Sequence, residues 1–226
     1  MTQDEIAQSL ETESIEKTLS IIELIKSGGL AGQLIIALLT GLLVVALYIY
    51  FERLFTIKAA SKVDPNFMNQ IKDHVVNGKI EAAKALCTNV NSPVSRLIHK
   101  GISRIGRPLA DINSAIENAG KLEVYSLEKN VSILATISGA APMIGFLGTV
   151  IGMILSIFEI ANSGGQIDIK LLADGLYTAM TTTVAGLVVG IISYISYNHI
   201  VGRTNKVVYQ MEANSVEFLD LLNEPI

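Results

Sequence analysis

Three stretches of the chain contain no Asp, Glu, Lys or Arg: residues 27–51, 130–158 and 175–202. Each exceeds the roughly 18 apolar residues that a helix needs to cross a bilayer. The pattern therefore predicts three membrane-spanning helices. Between and after them, apolar positions recur at helical spacing among charges. Val94, Leu97, Ile98 and Ile102 share one face behind Ser92-Pro93, and Val207, Met211, Val216, Phe218, Leu219 and Leu222 keep the C-terminal segment amphipathic. Asp64-Pro65 and Pro108 also mark helix starts, and Asn77-Gly78 marks a turn. No strong breaker lies between Pro108 and Pro142, so one continuous helix is expected there, and the third span is expected to continue past residue 202. Ile15, Leu19, Ile22 and Ile25 predict a short amphipathic helix along the membrane interface. The fold class that follows is an all-α membrane protein with three transmembrane helices, spans two and three being extended into a cytoplasmic helical bundle. The expected division is 1–29 periplasmic, 30–51 span one, 52–129 cytoplasmic, 130–160 span two, 161–173 periplasmic loop, 174–201 span three and 202–226 cytoplasmic.

Charge supplies that orientation. The middle segment holds twelve of the chain's 17 Lys and Arg residues, with Arg53 and Lys129 next to span ends, and Arg203 and Lys206 follow span three. Basic residues near span ends stay in the cytoplasm. The N-terminus is acidic, unlike a cleavable signal peptide. Half of all residues are hydrophobic and only 17% are charged, against about a quarter charged in a soluble domain.

Little points to an enzyme. The single cysteine, Cys87, allows neither an internal disulfide nor a thiolate metal cluster. His74, His99 and His199 fit no metal-binding spacing, and the glycine turns lack the Gly-Lys-Ser/Thr of a phosphate loop. Tryptophan is absent and aromatics make up 6%, so no nucleic-acid stacking surface is indicated. No cofactor and no metal are expected.

The chemistry lies in the second and third spans. Gly145, Gly148 and Gly152 follow one another at steps of three and four, a small face that lets another helix approach. Pro142 precedes them and is expected to bend the helix, and Thr149 lies among them. In span three, Thr178 and Thr182 are four apart, with Thr181, Ala185 and Gly186 continuing the strip; Thr183 lies about 100° further round. These hydroxyls either bond their own backbone in a packed bundle or line a lumen for an ion or a guest helix. No carboxylate lies deep in any span, since Glu159 and Asp174 sit at span edges. A proton carrier in this membrane would borrow its carboxylate from another chain.

Residues 141–158, APMIGFLGTVIGMILSIF, are similar to the second-span signature of the MotA/TolQ/ExbB proton-channel family. Residues 175–191, GLYTAMTTTVAGLVVGI, resemble its third-span motif. The resemblance runs over roughly residues 15–215 and favours the ExbB/TolQ branch. It implies a homo-oligomeric ring, commonly a pentamer, around a dimer of a single-span ExbD/TolR-type partner whose aspartate faces the lumen. Ion flow would turn ring and partner against each other in the bacterial inner membrane, with a TonB-type protein carrying the work to outer-membrane transporters. Thr149 and Thr183 match the lumen threonines, and Pro142 the span-two proline; neighbouring subunits of the implied ring would pack on the face of Gly145, Gly148 and Gly152. Two departures stand out. Thr178 occupies a position where well-known members carry glutamate, and no proline follows soon after Gly186-Leu187, Gly190-Ile191-Ile192-Ser193 having none. A threonine-rich site leaves sodium open beside the favoured proton. TolQ-like and gliding-motility motors, or a non-conducting membrane scaffold, are the alternatives. A small-molecule transporter would predict an internal repeat, which the chain lacks.

Overall fold

The computed structural model describes residues 29–62, 64–162 and 169–223. Among these residues seven helices follow in order: α1 Gly29–Ala60, α2 Phe67–Val76, α3 Ile80–Val90, α4 Pro93–Ile102, α5 Leu109–Glu128, α6 Val131–Asn162 and α7 Ile169–Asn223. The interfacial helix expected before residue 27 lies outside the described residues, as does the loop around Gly164. Among the described residues, three helices are long and apolar enough to cross a membrane, over Ala31–Ala60, Val131–Asn162 and Leu172–Asn223. The chain is thus an all-α membrane protein. α7 runs without interruption for 55 residues, since nothing in it breaks a helix before Pro225.

Two compact units share these helices. The first holds the described residues up to Leu42 and the stretch Gly139–Gly190; the second holds Leu43–Ser138 and the described residues from Ile191 onward.

The second unit has a conventional apolar core. Ile57, Phe67, Ile71, Cys87, Leu97, Ile98, Ile116, Ile200, Met211 and Phe218 are all buried in it. Local chemistry starts its short helices. Ser92 is the N-cap of α4: its hydroxyl accepts from Ser95 N at 3.1 Å, and the Ser95 hydroxyl accepts from Ser92 N at 2.8 Å. Pro93 takes the first helical position, where a missing N–H costs nothing. Pro65 lies in a turn ahead of α2, where Asp64 Oδ1 accepts from Asn66 N at 2.8 Å. Gly78 adopts φ +69° in the turn that follows α2. Gly101 lets α4 settle onto α5, because a β-carbon there would stand 2.8 Å from Ile116 Cδ1 and 2.5 Å from Phe218 Cε1. Arg96 on α4 grips Glu123 on α5 through Nε–Oε1 and Nη2–Oε2 bonds, both 2.6 Å. That carboxylate raises the arginine's pKa.

One expectation is overturned. The helix that begins at Leu109 does not run on to Pro142; it stops at Glu128, and a new one starts at Val131. Lys129 is extended at ψ 129° and Asn130 is left-handed at φ 62°. Asparagine tolerates that region better than most residues, so it can break the helix at a place where neither glycine nor proline stands. The break leaves the last carbonyls of α5 without helical partners. Arg53, 6% exposed, meets one of them: its Nη1 donates to Ser126 O at 3.0 Å, while Nε donates to Glu52 at 2.6 Å. Its side chain is committed to the second unit.

Candidate functional site

The first unit is organised by close contact between α6 and α7. Both helices are made of residues that leave the backbone bare. A β-carbon on Gly145 would stand 2.7 Å from Thr182 O and 3.1 Å from Gly186 Cα; one on Gly186 would stand 2.6 Å from Ala141 O. A β-carbon on Gly148 would meet Thr182 Oγ1 at 2.5 Å, and one on Gly152 would meet Gly175 O at 3.2 Å. The paired numbers fall on one helix as they rise on the other, so the two helices run antiparallel. At Gly145 and Gly186 backbone meets backbone, and along the rest of the line only the small side chains of Thr182, Ala179 and Ser156 stand between the helices; glycine is the residue that allows it.

This corrects the expected use of the glycine face. Gly145, Gly148 and Gly152 meet α7 of the same chain, not a neighbouring subunit. The opposing strip on α7 is Gly175, Ala179, Thr182 and Gly186, rather than one continued through Thr181 and Ala185. Gly175 is the member that sequence reasoning missed, together with Ser156, which is buried, bonds Gly152 O at 3.0 Å and fills the space beside Gly175. The signal was present: 145, 148, 152 and 156 continue one stepping pattern, and 175, 179, 182 and 186 another.

The close approach places two hydroxyls side by side. Thr149 on α6 and Thr183 on α7 are hydrogen-bonded through their Oγ1 atoms. Thr149 Oγ1 also donates toward Ala179 O at 3.1 Å, and Thr183 Oγ1 toward Gly145 O at 3.3 Å. Both residues are half-buried. The cluster holds two hydroxyl protons among four oxygens, so each hydroxyl has more acceptors than it can serve. Rotation of either threonine frees a proton for an incoming anion or a lone pair for an incoming acid.

The other two candidate threonines sit elsewhere. Thr182 is fully buried under Gly148 and spends its hydroxyl on Ala179 O at 2.9 Å and Thr178 O at 3.1 Å. Thr178 bonds Asp174 O at 2.9 Å, and its methyl fills the space that a β-carbon of Gly32 on α1 would need, 2.6 Å away. Both are back-bonded helix residues with a packing methyl. Pro142 lies within α6, which continues through it. Having no N–H, it leaves the Ser138 carbonyl without its usual helical donor.

The outward faces of both helices are apolar. Phe146, Ile154 and Phe158 on α6 and Met180, Val184 and Ile191 on α7 are exposed in the single chain, as suits a surface that meets lipid or other helices. Among the described residues, no three His, Cys, Asp or Glu side chains gather where a metal ion could bind. Cys87, in the second unit, is buried, and burial pushes its thiol up to about 11, which makes it a poor nucleophile at neutral pH.

Comparison with known proteins takes in these two helices. The model of the MotA/TolQ/ExbB proton channel family matches residues 89–213, a stretch that contains all of the α6–α7 contact. The chain is 27% identical over 194 residues to a biopolymer transport ExbB homologue of Methanothermobacter thermautotrophicus, covering 85% of this chain and 67% of that protein. It is 38% identical over 87 residues to the biopolymer transport protein ExbB of Aquifex aeolicus, covering 38% of this chain and 58% of that one. Against the Tol-Pal system protein TolQ of Pseudomonas aeruginosa it is 23% identical over 218 residues, with 92% and 94% covered. The matches thus span between about half and two thirds of the two ExbB-type relatives' length.

Proposed function

The chain belongs to the MotA/TolQ/ExbB proton channel family, and from that premise we propose that it is the ion-conducting subunit of an inner-membrane motor of the ExbB/TolQ type. In this reading several copies, commonly five in the family, form a ring. A dimer of a single-span ExbD/TolR-type protein occupies its lumen. The motor turns proton motive force into mechanical work and passes it through a TonB-type protein to outer-membrane transport. The chain itself has no enzymatic role. Its N-terminus faces the periplasm and its C-terminus the cytoplasm.

The observation that carries this reading is the Thr149–Thr183 pair in a membrane segment without carboxylates. An ionised partner aspartate accepts hydrogen bonds and donates none; a protonated one donates. The hydroxyl cluster can meet both needs, because either threonine can turn from a backbone carbonyl toward the guest. A site that binds the charged and the neutral form in turn suits a carboxyl that loads and releases a proton. It would also lessen the cost of holding the charged form in lipid. Thr178 and Thr182 would serve by setting the helices at the right spacing, and Pro142 would provide a bend between them and the cytoplasmic end of α6.

The test is native mass spectrometry of the full chain, co-expressed with its genomic neighbours and extracted in mild detergent. The expected species is a ring of several copies holding two copies of the partner. A monomer or dimer without such a partner would overturn the motor reading in favour of a membrane scaffold.

A further inference from the structure

A groove of about 590 Å³ runs along the second unit between α5 and the C-terminal part of α7. Its floor is apolar, with Ile116, Val124 and Met211. Its rim carries Glu117, Glu128 and Glu212 against the one cation Lys121. Among the described residues none of these three carboxylates makes an ion pair. Tyr125 and Val216 stand at the edge, 76% and 58% exposed. An apolar channel with unneutralised acidic edges is costly to leave bare and fits an apolar guest flanked by cations.

The same unit carries the complementary surface on its other flank. Lys100, Arg104 and Arg107, at and just beyond the end of α4, are exposed. They too make no ion pair among the described residues. Leu122 stands on this flank, 72% exposed. Two relationships place the flanks. Around α5, the positions facing the groove (117, 121, 124 and 128) and those on the α4 side (119, 122 and 123) lie roughly half a turn apart at 100° per residue. Along α5, Gly101 packs on Ile116, and Leu97 lies 3.7 Å from a β-carbon built on Gly120. Lys100 is therefore level with Glu117.

We propose that this groove is the contact between neighbouring copies of the chain, the acidic groove of one copy receiving Leu122, Lys100 and Arg104 from the next. Two unlike, complementary surfaces on opposite flanks at one level are what a head-to-tail contact needs, and such a contact closes into a ring when the rotation fits. A two-fold contact through the groove would set carboxylate against carboxylate. The inference rests on the homo-oligomer of the motor reading and adds the surface that joins its copies.

Charge reversal with rescue tests it, using the full chain in detergent and native mass spectrometry. Glu117→Arg with Glu212→Arg, and separately Lys100→Glu with Arg104→Glu, are expected to lose the ring to smaller species. All four substitutions together are expected to restore it. As a second readout, Glu117→Cys with Lys100→Cys is expected to give a ladder of disulfide-linked multimers on oxidation, with buried Cys87 standing aside. A wild-type ring that withstands both reversals, or a cysteine pair that gives no ladder, overturns this inference and leaves the motor reading intact. A wild-type chain that forms no ring overturns both.

Discussion

Thr149 and Thr183, 34 residues apart on antiparallel helices, share a hydrogen bond between their hydroxyls. Each keeps a carbonyl of the opposite helix as a further acceptor, Ala179 O for Thr149 and Gly145 O for Thr183. The pair is therefore held in place without being used up, the condition for a site that must exchange partners.

Replacing one hydroxyl tests the proposed ion path apart from folding. Thr149→Val keeps the side-chain shape and leaves Thr183 its bond to Gly145 O. The stability cost is expected to be about 1 kcal/mol, as for one lost hydrogen bond. The Thr149→Val and Thr183→Val effects should sum to more than the double variant shows, because they remove the same bond. Proton flux through the reconstituted complex is expected to fall to the leak of empty vesicles in either variant, with ring assembly unchanged. Flux at the wild-type level would show that the hydroxyls serve packing alone.

The glycine contact predicts a position-dependent response to one methyl group. Gly145→Ala would press a β-carbon to within 2.7 Å of Thr182 O, a backbone atom that cannot step aside. A loss of about 1–3 kcal/mol is expected, typical of overpacking. Gly139→Ala, on the same helix, meets nothing within 4 Å. It should be neutral or gain up to about 1 kcal/mol of helix propensity. Thermal unfolding in detergent, followed by circular dichroism, ranks the two; equal midpoints would contradict the close approach.

Cys87 predicts an alkaline limit to stability. Burial raises its folded-state pKa from 9.0 to about 11. Between those values the unfolded chain has lost the thiol proton and the folded chain has kept it. The contribution is thus complete below pH 9 and disappears as pH climbs toward 11. Cys87→Ala should flatten that limb of the pH–stability curve, at the cost of a small cavity. The native thiol should also resist maleimide at pH 7.5 until the protein is unfolded. Rapid labelling of the native chain would show that the second unit's core opens readily.

Much of this protein could be read along the chain. Runs without charge are a local property, and lipid imposes one answer on them, so the three spans followed from residues 27–51, 130–158 and 175–202 alone. Ser92-Pro93 and Asn77-Gly78 act through their own backbone, and the helix start and turn lie there. Thr149 could be picked out because a lone hydroxyl in a glycine-rich apolar run is conspicuous, whereas Thr183, one of four threonines in its span, stood out only through the family resemblance. The tertiary structure decided what these residues meet. Which helix fills the glycine face, which threonines share a bond and which spend their hydroxyls on their own turn depend on the residue opposite, more than 20 positions away. The break at Asn130 followed the same rule: its left-handed backbone costs little for asparagine, and Arg53, far earlier in the chain, meets the carbonyl of Ser126 in the last turn before it. Local patterns settle where a segment is soluble, whereas a hydrogen bond or a close contact is settled by the partner that packing delivers.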